Sequence, residues 1–508
     1  MSSEKEIILE ATAKANKREL DLNEAQDIVN KYPKSHRAFA LLAFVYFQLG
    51  KFDNVLEEVQ KSLKYGKSVT AYNLSAQANI NLKNLESANQ DFSKALELDA
   101  NDLMTLMNYA AFLGQTGKSK ETIQITKRIT LIQPNNLELK VKLAQMYLQI
   151  SDFQSAVKYL EGLVKEFPKE YIFHHLLGNA YFQCDRKDDA AKCYEDAIKI
   201  KPDAEKSYFN LATYFYEKEN YPAVSPLLEK AMEFAPDWSA PYTQMCYSLY
   251  KQNEFNELKD FIIKNNDRLK TSIEVAAISE LVAVQEGEEN FHPFCPDPMK
   301  YICEFDIKDY IKDHDVFLKD LKEQIDALEF YDGFAPHSGK SLINGTQTVG
   351  NIFKHKNNSL DQLKIFFLDA IEDYKEKYKS SNSIIIKNFP DETNLFGWST
   401  KFDKGSGNHF SHIHPIGWIS GAFYLNVPQD IKKHEANIQF DVQGPLPLFN
   451  REIDIERKNI FPEPGKLVIF PSSLFHCTTP FTSENSYRQA LNFDVQSPYK
   501  MNQDVTKI

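Results

Sequence analysis

The sequence predicts a multidomain chain, an all-α repeat solenoid followed by an α+β domain. Three observations carry this reading. Pro134, Pro168, Pro202 and Pro236 stand 34 residues apart. Beyond a polar, proline-rich stretch near residue 290, helical periodicity gives way to short alternating strands. In those strands two histidines share one face, ahead of a third histidine and an arginine.

The length of 508 residues suits about two to four domains, and 43% hydrophobic with 26% charged residues is ordinary for a globular protein. A net charge of -12 argues against nucleic acid as a partner, because phosphate binding needs a basic surface. Met1-Ser2-Ser3-Glu4-Lys5-Glu6 lacks the basic and apolar regions of a signal peptide. No apolar run approaches ~20 residues, so no membrane span is expected. The six cysteines form no Cys-x-x-Cys pair. His292, Cys295 and Cys303 are irregularly spaced and lack a fourth ligand, so they read as a histidine and two reduced thiols rather than a metal site. The expected location is cytoplasmic.

The repeats come first. Twenty-four positions before the prolines stand Ala110, Ala144, Gly178 and Ala212, with Ala76 one period earlier. A second small position holds Ala88, Ala156 and Ala190, and a third Ala95, Ala197 and Ala231. Small residues let antiparallel helices approach, and proline ends the second helix of each pair. Thr122 and Val224 break the small series and predict local loosening. The pattern resembles the tetratricopeptide repeat over roughly residues 35–270. That resemblance implies a concave face for docking protein or peptide, or for self-association. His175, Asn179, Phe182, Tyr216 and Glu217 are expected to face the groove.

The solenoid is assigned to residues 1–284, with a capping helix at 272–284. Residues 285–300, with Pro293, Pro296 and Pro298, read as a linker. Residues 301–508 form the second domain. It opens with a strand at 301–307 and helices at 315–328 and 360–378. Residues 345–351 alternate without clear chemistry.

Its chemistry is concentrated at 402–414. A Gly-rich turn, Gly405-Ser406-Gly407, leads into His409, His412 and His414. Alternate strand residues share a face, so His412 and His414 project together. Lys466-Leu467-Val468-Ile469-Phe470 leads to His476, and Arg488 opens the strand Gln489-Ala490-Leu491-Asn492-Phe493. His409 reads as a rim residue and His434 as part of a polar loop.

Residues 390–497 resemble the double-stranded β-helix (jelly-roll) of the iron(II)/2-oxoglutarate dioxygenases, in their prolyl-hydroxylase-like branch. The matching features are Phe402 with its Gly-rich turn ten residues before His412, the strand Tyr424-Leu425-Asn426, the Pro464-Gly465-Lys466-Leu467 approach to His476, and Arg488. The resemblance implies His412 and His476 as iron ligands, with Arg488 and Tyr424 binding the far carboxylate of 2-oxoglutarate. Where the family has Asp or Glu as third ligand, this chain has His414. Three readings stay open: His414 ligates, water fills the position, or a carboxylate such as Asp441 swings in. Strand geometry favours His414, giving a three-histidine site of His412, His414 and His476.

Two functions lead, ahead of a small-molecule oxygenase that uses the repeats only to assemble. One is an Fe(II)- and 2-oxoglutarate-dependent dioxygenase that hydroxylates a protein or peptide docked by the repeats. The other is a non-catalytic interaction scaffold with a degenerate barrel.

Overall fold

The structure is a computed structural model that describes residues 3–332, 342–402, 407–449, 452–483 and 486–498. The chain divides into two compact units, residues 1–210 and 211–508.

The first unit is built of paired antiparallel helices. Helices end at Ile132, Glu166 and Ile200, each two residues before a proline of the repeat series. Ala76, Ala88, Ala95, Ala144, Ala156, Ala190 and Ala197 are all fully buried. At Gly178 the reason for a small residue is explicit. A Cβ there would meet the ring of Tyr194 at 2.5 Å. Tyr194 is itself buried and donates its hydroxyl to Asn179 Oδ1 at 3.0 Å.

Thr122 and, in the second unit, Val224 do not loosen the packing. Both are buried, and the Thr122 hydroxyl is satisfied by Lys118 O at 2.8 Å. A further period is hidden in the turns. Lys83, Gly117, Ser151, Asp185, Glu219 and Asn253 all adopt left-handed φ, between 57° and 74°. Only one is glycine, so the other five hold a conformation that side chains disfavour. His175 and Asn179 serve the core rather than an open groove. His175 is buried against Ser207 Oγ at 3.0 Å, and Asn179 Oδ1 also accepts from Asn210 Nδ2 at 2.8 Å.

The second unit holds the remaining helices and the strands. In chain order these are β1 (Cys303–Asp306), β2 (Phe330–Asp332), β3 (Leu342–Ile343), β4 (Thr346–Thr348), β5 (Leu395–Phe402) and β6 (Asn408–His409). They continue with β7 (Gly417–Asn426), β8 (Ile438–Asp441), β9 (Lys458–Ile460), β10 (Lys466–Pro471), β11 (Phe475–Thr478) and β12 (Arg488–Gln496). Among the described residues a seven-stranded sheet runs β1-β10-β7-β12-β5-β4-β2 and a three-stranded sheet runs β11-β8-β9. Neighbouring strands in both sheets are antiparallel. This is the jelly-roll arrangement that the sequence predicts.

Period-2 patterning decides what each face of the large sheet meets. Phe423, Leu491, Phe493 and Val495 face the helices His314–Asp326 and Asn358–Tyr378. Phe367 closes that layer, its ring 4.7 Å from Phe493 and 5.8 Å from Phe423. The intervening residues Ala422, Tyr424, Val468, Phe470 and Ala490 face the smaller sheet, where Phe440 meets Phe470 at 4.9 Å. Each fully buried Phe contributes about 1.5–3 kcal/mol relative to exposure.

The last repeat-like helices join this second core. Helix Ile273–Glu286 begins on a Ser272 cap and ends on left-handed Gly287. Gln285 donates to Tyr250 Oη at 2.9 Å, and Tyr250 donates to Pro447 O at 2.6 Å. The Phe449 amide donates to Gln285 Oε1 at 2.7 Å. Residues 285–300, read as a linker, are built into the same unit. Phe294 and Cys295 are buried, and Phe294 packs on Trp418 at 5.0 Å. His292 is fully buried and bonded to Leu269 O at 3.0 Å, which accounts for it without a metal. All six cysteines are free.

Two substitutions of the same kind should have opposite signs. Gly162 lies on an exposed helix surface, and a Cβ there would meet nothing within 4 Å. Gly162→Ala should therefore stabilise by up to about 1 kcal/mol through helix propensity. Gly178→Ala should lose more to overpacking, about 1–3 kcal/mol, than propensity returns. Thermal melts of the full chain check this, and equal stabilisation by both would mean that the Tyr194 ring gives way freely.

Candidate metal centre

Two short segments bring the histidines together. The His412 amide donates to His476 O at 3.1 Å and the His476 amide returns the bond to His412 O at 3.0 Å. The His414 amide continues the ladder to Ser472 O at 3.0 Å. With alternation of side chains, this pairing puts the three rings at one place. His412 and His476 lie 4.4 Å apart between ring centroids, His414 and His476 5.0 Å, and His412 and His414 5.2 Å. One ring nitrogen from each lies within 4.8 Å of the others, a group that can hold a metal ion.

The other nitrogen of each ring is already committed. His412 Nδ1 contacts Phe410 O at 2.6 Å, His476 Nδ1 contacts Leu474 O at 3.2 Å, and His414 Nδ1 contacts Asp494 Oδ1 at 2.6 Å. Carbonyls and carboxylates accept only, so each Nδ1 carries the proton. Each Nε2 then presents a lone pair. His412 Nε2 and His414 Nε2 lie 3.3 Å apart, and in the neutral tautomers that their Nδ1 partners select both would present lone pairs. Two lone pairs at that separation repel unless a cation sits between them. Adjacent nitrogens on one metal, at about 2.1 Å from it, would be about 3 Å apart. The donor set therefore fits a divalent transition metal with imidazole ligands.

Electrostatics agree. Burial pushes the His412 imidazolium down to about 4, with the neighbouring His414 adding to the shift. Burial, followed by His412 and His414, pushes His476 well below the ordinary range. Rings that stay neutral are rings ready to ligate. Phe470 and Phe440 wall the site, 4.6 Å and 6.1 Å from the His476 ring.

A second feature flanks the triad. Arg488, at the head of β12, is 3% exposed, and Tyr424 on β7 is fully buried. The guanidinium lies 5.2 Å from the Tyr424 ring and 5.7 Å from that of Phe402. Arg488 Nε and Tyr424 Oη are both buried short of well-formed hydrogen-bond geometry, and the guanidinium interacts with that neutral phenol rather than with an anion. A desolvated cation left this way is costly, and an anion would relieve it.

His409 is not the rim residue expected. Its ring packs 5.4 Å from His412 and edge-on to Phe402 at 5.2 Å, and burial drives its pKa well below normal. Asp441 is engaged elsewhere. Its Oδ1 accepts from the amides of Gln443 at 3.0 Å and Gly444 at 2.7 Å, capping a turn. Its strand neighbour Phe440, which faces His476, forces Asp441 to the opposite side. Gly405 and Ser406 lie outside the described residues. Sequence reasoning missed Asp494, although Arg488 and Asp494 stand at even spacing on one strand and so share a face.

Known proteins share parts of this arrangement. Residues 397–494 match the family described as "Putative 2OG-Fe(II) oxygenase". Residues 178–218 match a TPR repeat family and residues 69–102 a tetratricopeptide repeat family. Among curated proteins, the BBSome complex member BBS4 of Bos taurus is 27% identical over 228 residues, 41% of this chain and 43% of that protein. The protein O-mannosyl-transferase TMTC1 of Homo sapiens is 27% identical over 146 residues, 29% of this chain and 16% of that protein. The chain thus spans less than half of either relative. Among solved structures, the C-terminal part of a TPR repeat-containing protein from Cytophaga hutchinsonii is 13% identical, covering 46% of this chain and 97% of that one, with a TM-score of 0.38. The chain carries tetratricopeptide repeats joined to a domain of the 2OG-Fe(II) oxygenase type at residues 397–494.

Proposed function

We propose that this protein is an Fe(II)- and 2-oxoglutarate-dependent dioxygenase that hydroxylates a protein or peptide. The observation that carries the reading is the convergence of one ring nitrogen from each of three histidines whose Nδ1 atoms all have partners. His412, His414 and His476 would hold the metal. Iron and 2-oxoglutarate, when bound, supply oxygen activation and hydrogen abstraction from a substrate carbon.

The chain's own residues do the rest. Arg488 offers a planar, desolvated fork to the far carboxylate of 2-oxoglutarate, and the Tyr424 hydroxyl donates to the same group. Phe440 and Phe470 keep water from the His476 side. The repeats supply an extended surface suited to a polypeptide, which supports protein or peptide as the substrate class. The expected setting is cytoplasmic, and no described helix is long and apolar enough to cross a membrane.

Anaerobic Fe(II) binding followed by 2-oxoglutarate titration, read through the visible charge-transfer band, tests the proposal. His412→Ala and His476→Ala should abolish iron binding. Arg488→Ala should leave iron bound and weaken 2-oxoglutarate about 10–100-fold, the worth of a charged hydrogen bond of about 1.5–3 kcal/mol. A wild type that binds no iron would leave a repeat scaffold with a silent barrel.

Proton competition gives a second check. A depressed pKa means that protons displace metal only at lower pH than for an ordinary imidazole at 6.5. Since His412 is pushed to about 4 and His476 lies well below normal, neither of these two rings should compete for protons with Co(II) above about pH 5, and any loss of affinity from pH 8 to about 5 should have a slope of no more than one proton. A slope of two or more protons beginning at pH 6.5 would show that His412 and His476 titrate as if exposed.

A further inference from the structure

We propose that Asp494 is a positioning residue that supplies, through His414, the negative charge that a carboxylate ligand gives elsewhere in this family. The assignment rests on the iron-site reading above. Replacing a carboxylate ligand with a neutral imidazole raises the net charge of an Fe(II) centre by one. Asp494 returns that charge one hydrogen bond away, at 2.6 Å from His414 Nδ1.

The surroundings of Asp494 are built for a carboxylate. Its side chain is 8% exposed. Oδ1 also accepts from Ser420 Oγ at 2.7 Å, and Ser420 is bonded to Ser472 Oγ at 2.8 Å. Strand register places Asp494 directly opposite Ser420. Gly417 leaves the space. A Cβ at that position would lie 3.2 Å from the Asp494 carboxylate and 2.5 Å from Ser472 Oγ. Trp398 packs on the His414 ring at 5.6 Å with the planes tilted by 36°, so the imidazole meets both a hydrogen bond and a packed ring.

His412 and His476 give their Nδ1 protons to backbone carbonyls, whereas His414 gives its own to an anion. An imidazole hydrogen-bonded to a carboxylate has imidazolate character and is a stronger ligand. His414 is therefore the ligand that most favours the oxidised metal. Its position in sequence is where the family carries its acidic ligand.

The test is anaerobic Fe(II) affinity together with the Fe(III)/Fe(II) midpoint potential, measured on wild type, Asp494→Asn and Asp494→Glu. Asp494→Asn should weaken Fe(II) about 10–100-fold and move the potential upward, with Asp494→Glu recovering part of both. Unchanged affinity and potential in Asp494→Asn would overturn the assignment while leaving the iron site standing. A wild type without iron would overturn the iron site and this assignment together. Should Asp494→Asn fail to fold, Ser420→Ala removes the other donor to the carboxylate and makes it more basic. The potential should then fall, and an unmoved potential would again overturn the role.

Discussion

The reciprocal pair of backbone hydrogen bonds between His412 and His476 is the constraint on which the rest of the site depends. These residues are far apart in sequence, and no side-chain attraction could find that register alone. The register is imposed by packing on either side. Phe470 and Phe440 meet between the two sheets, and β11 is fixed to β8 by pairing His476 with Phe440. A slip of one residue would turn His476 outward and bring Cys477 inward. The apolar core thus sets where three polar rings point, and the polar rings contribute little to holding it there.

Much of this was legible in the sequence because it rests on local periodicity. The 34-residue proline series marks helix ends, and the structure places each end at a constant offset. Two histidines at even spacing must share a strand face. What stayed hidden depends on pairing between distant segments. Asp494 meets His414 only because β12 lies beside β7 in one register. His409 looked peripheral because nothing local shows that β6 tucks its ring against His412. His175 looked like a groove residue, yet the next repeat supplies Ser207 and turns it into buried structure.

The second unit also explains why a boundary drawn by composition misleads. Residues 285–300 are rich in proline and polar groups, which reads as a flexible connector. These residues instead bury Phe294 against Trp418. The helices before them share a core with Phe440, Phe470 and Phe475. Tyr250 and Gln285 hold the backbone at Pro447 and Phe449, in the segment that follows β8. The strand beside His476 is therefore braced by helices that repeat periodicity assigns to the solenoid.

That bracing bears on how a carboxylate ligand could be exchanged for an imidazole. A longer, planar ligand must be held in orientation as well as in position, or its lone pair misses the metal. Here Trp398 packs against the His414 ring and Asp494 fixes its rotation through the Nδ1 hydrogen bond. Asp494 in turn needs the room left by Gly417 and the hydroxyl of Ser420. Four side-chain choices on three strands thus act as a unit with the loop that carries His414, and His414 is intelligible only together with them. Taken alone, it looks like the loss of a ligand. Taken with its partners, it is a ligand whose charge has been moved outward by one hydrogen bond.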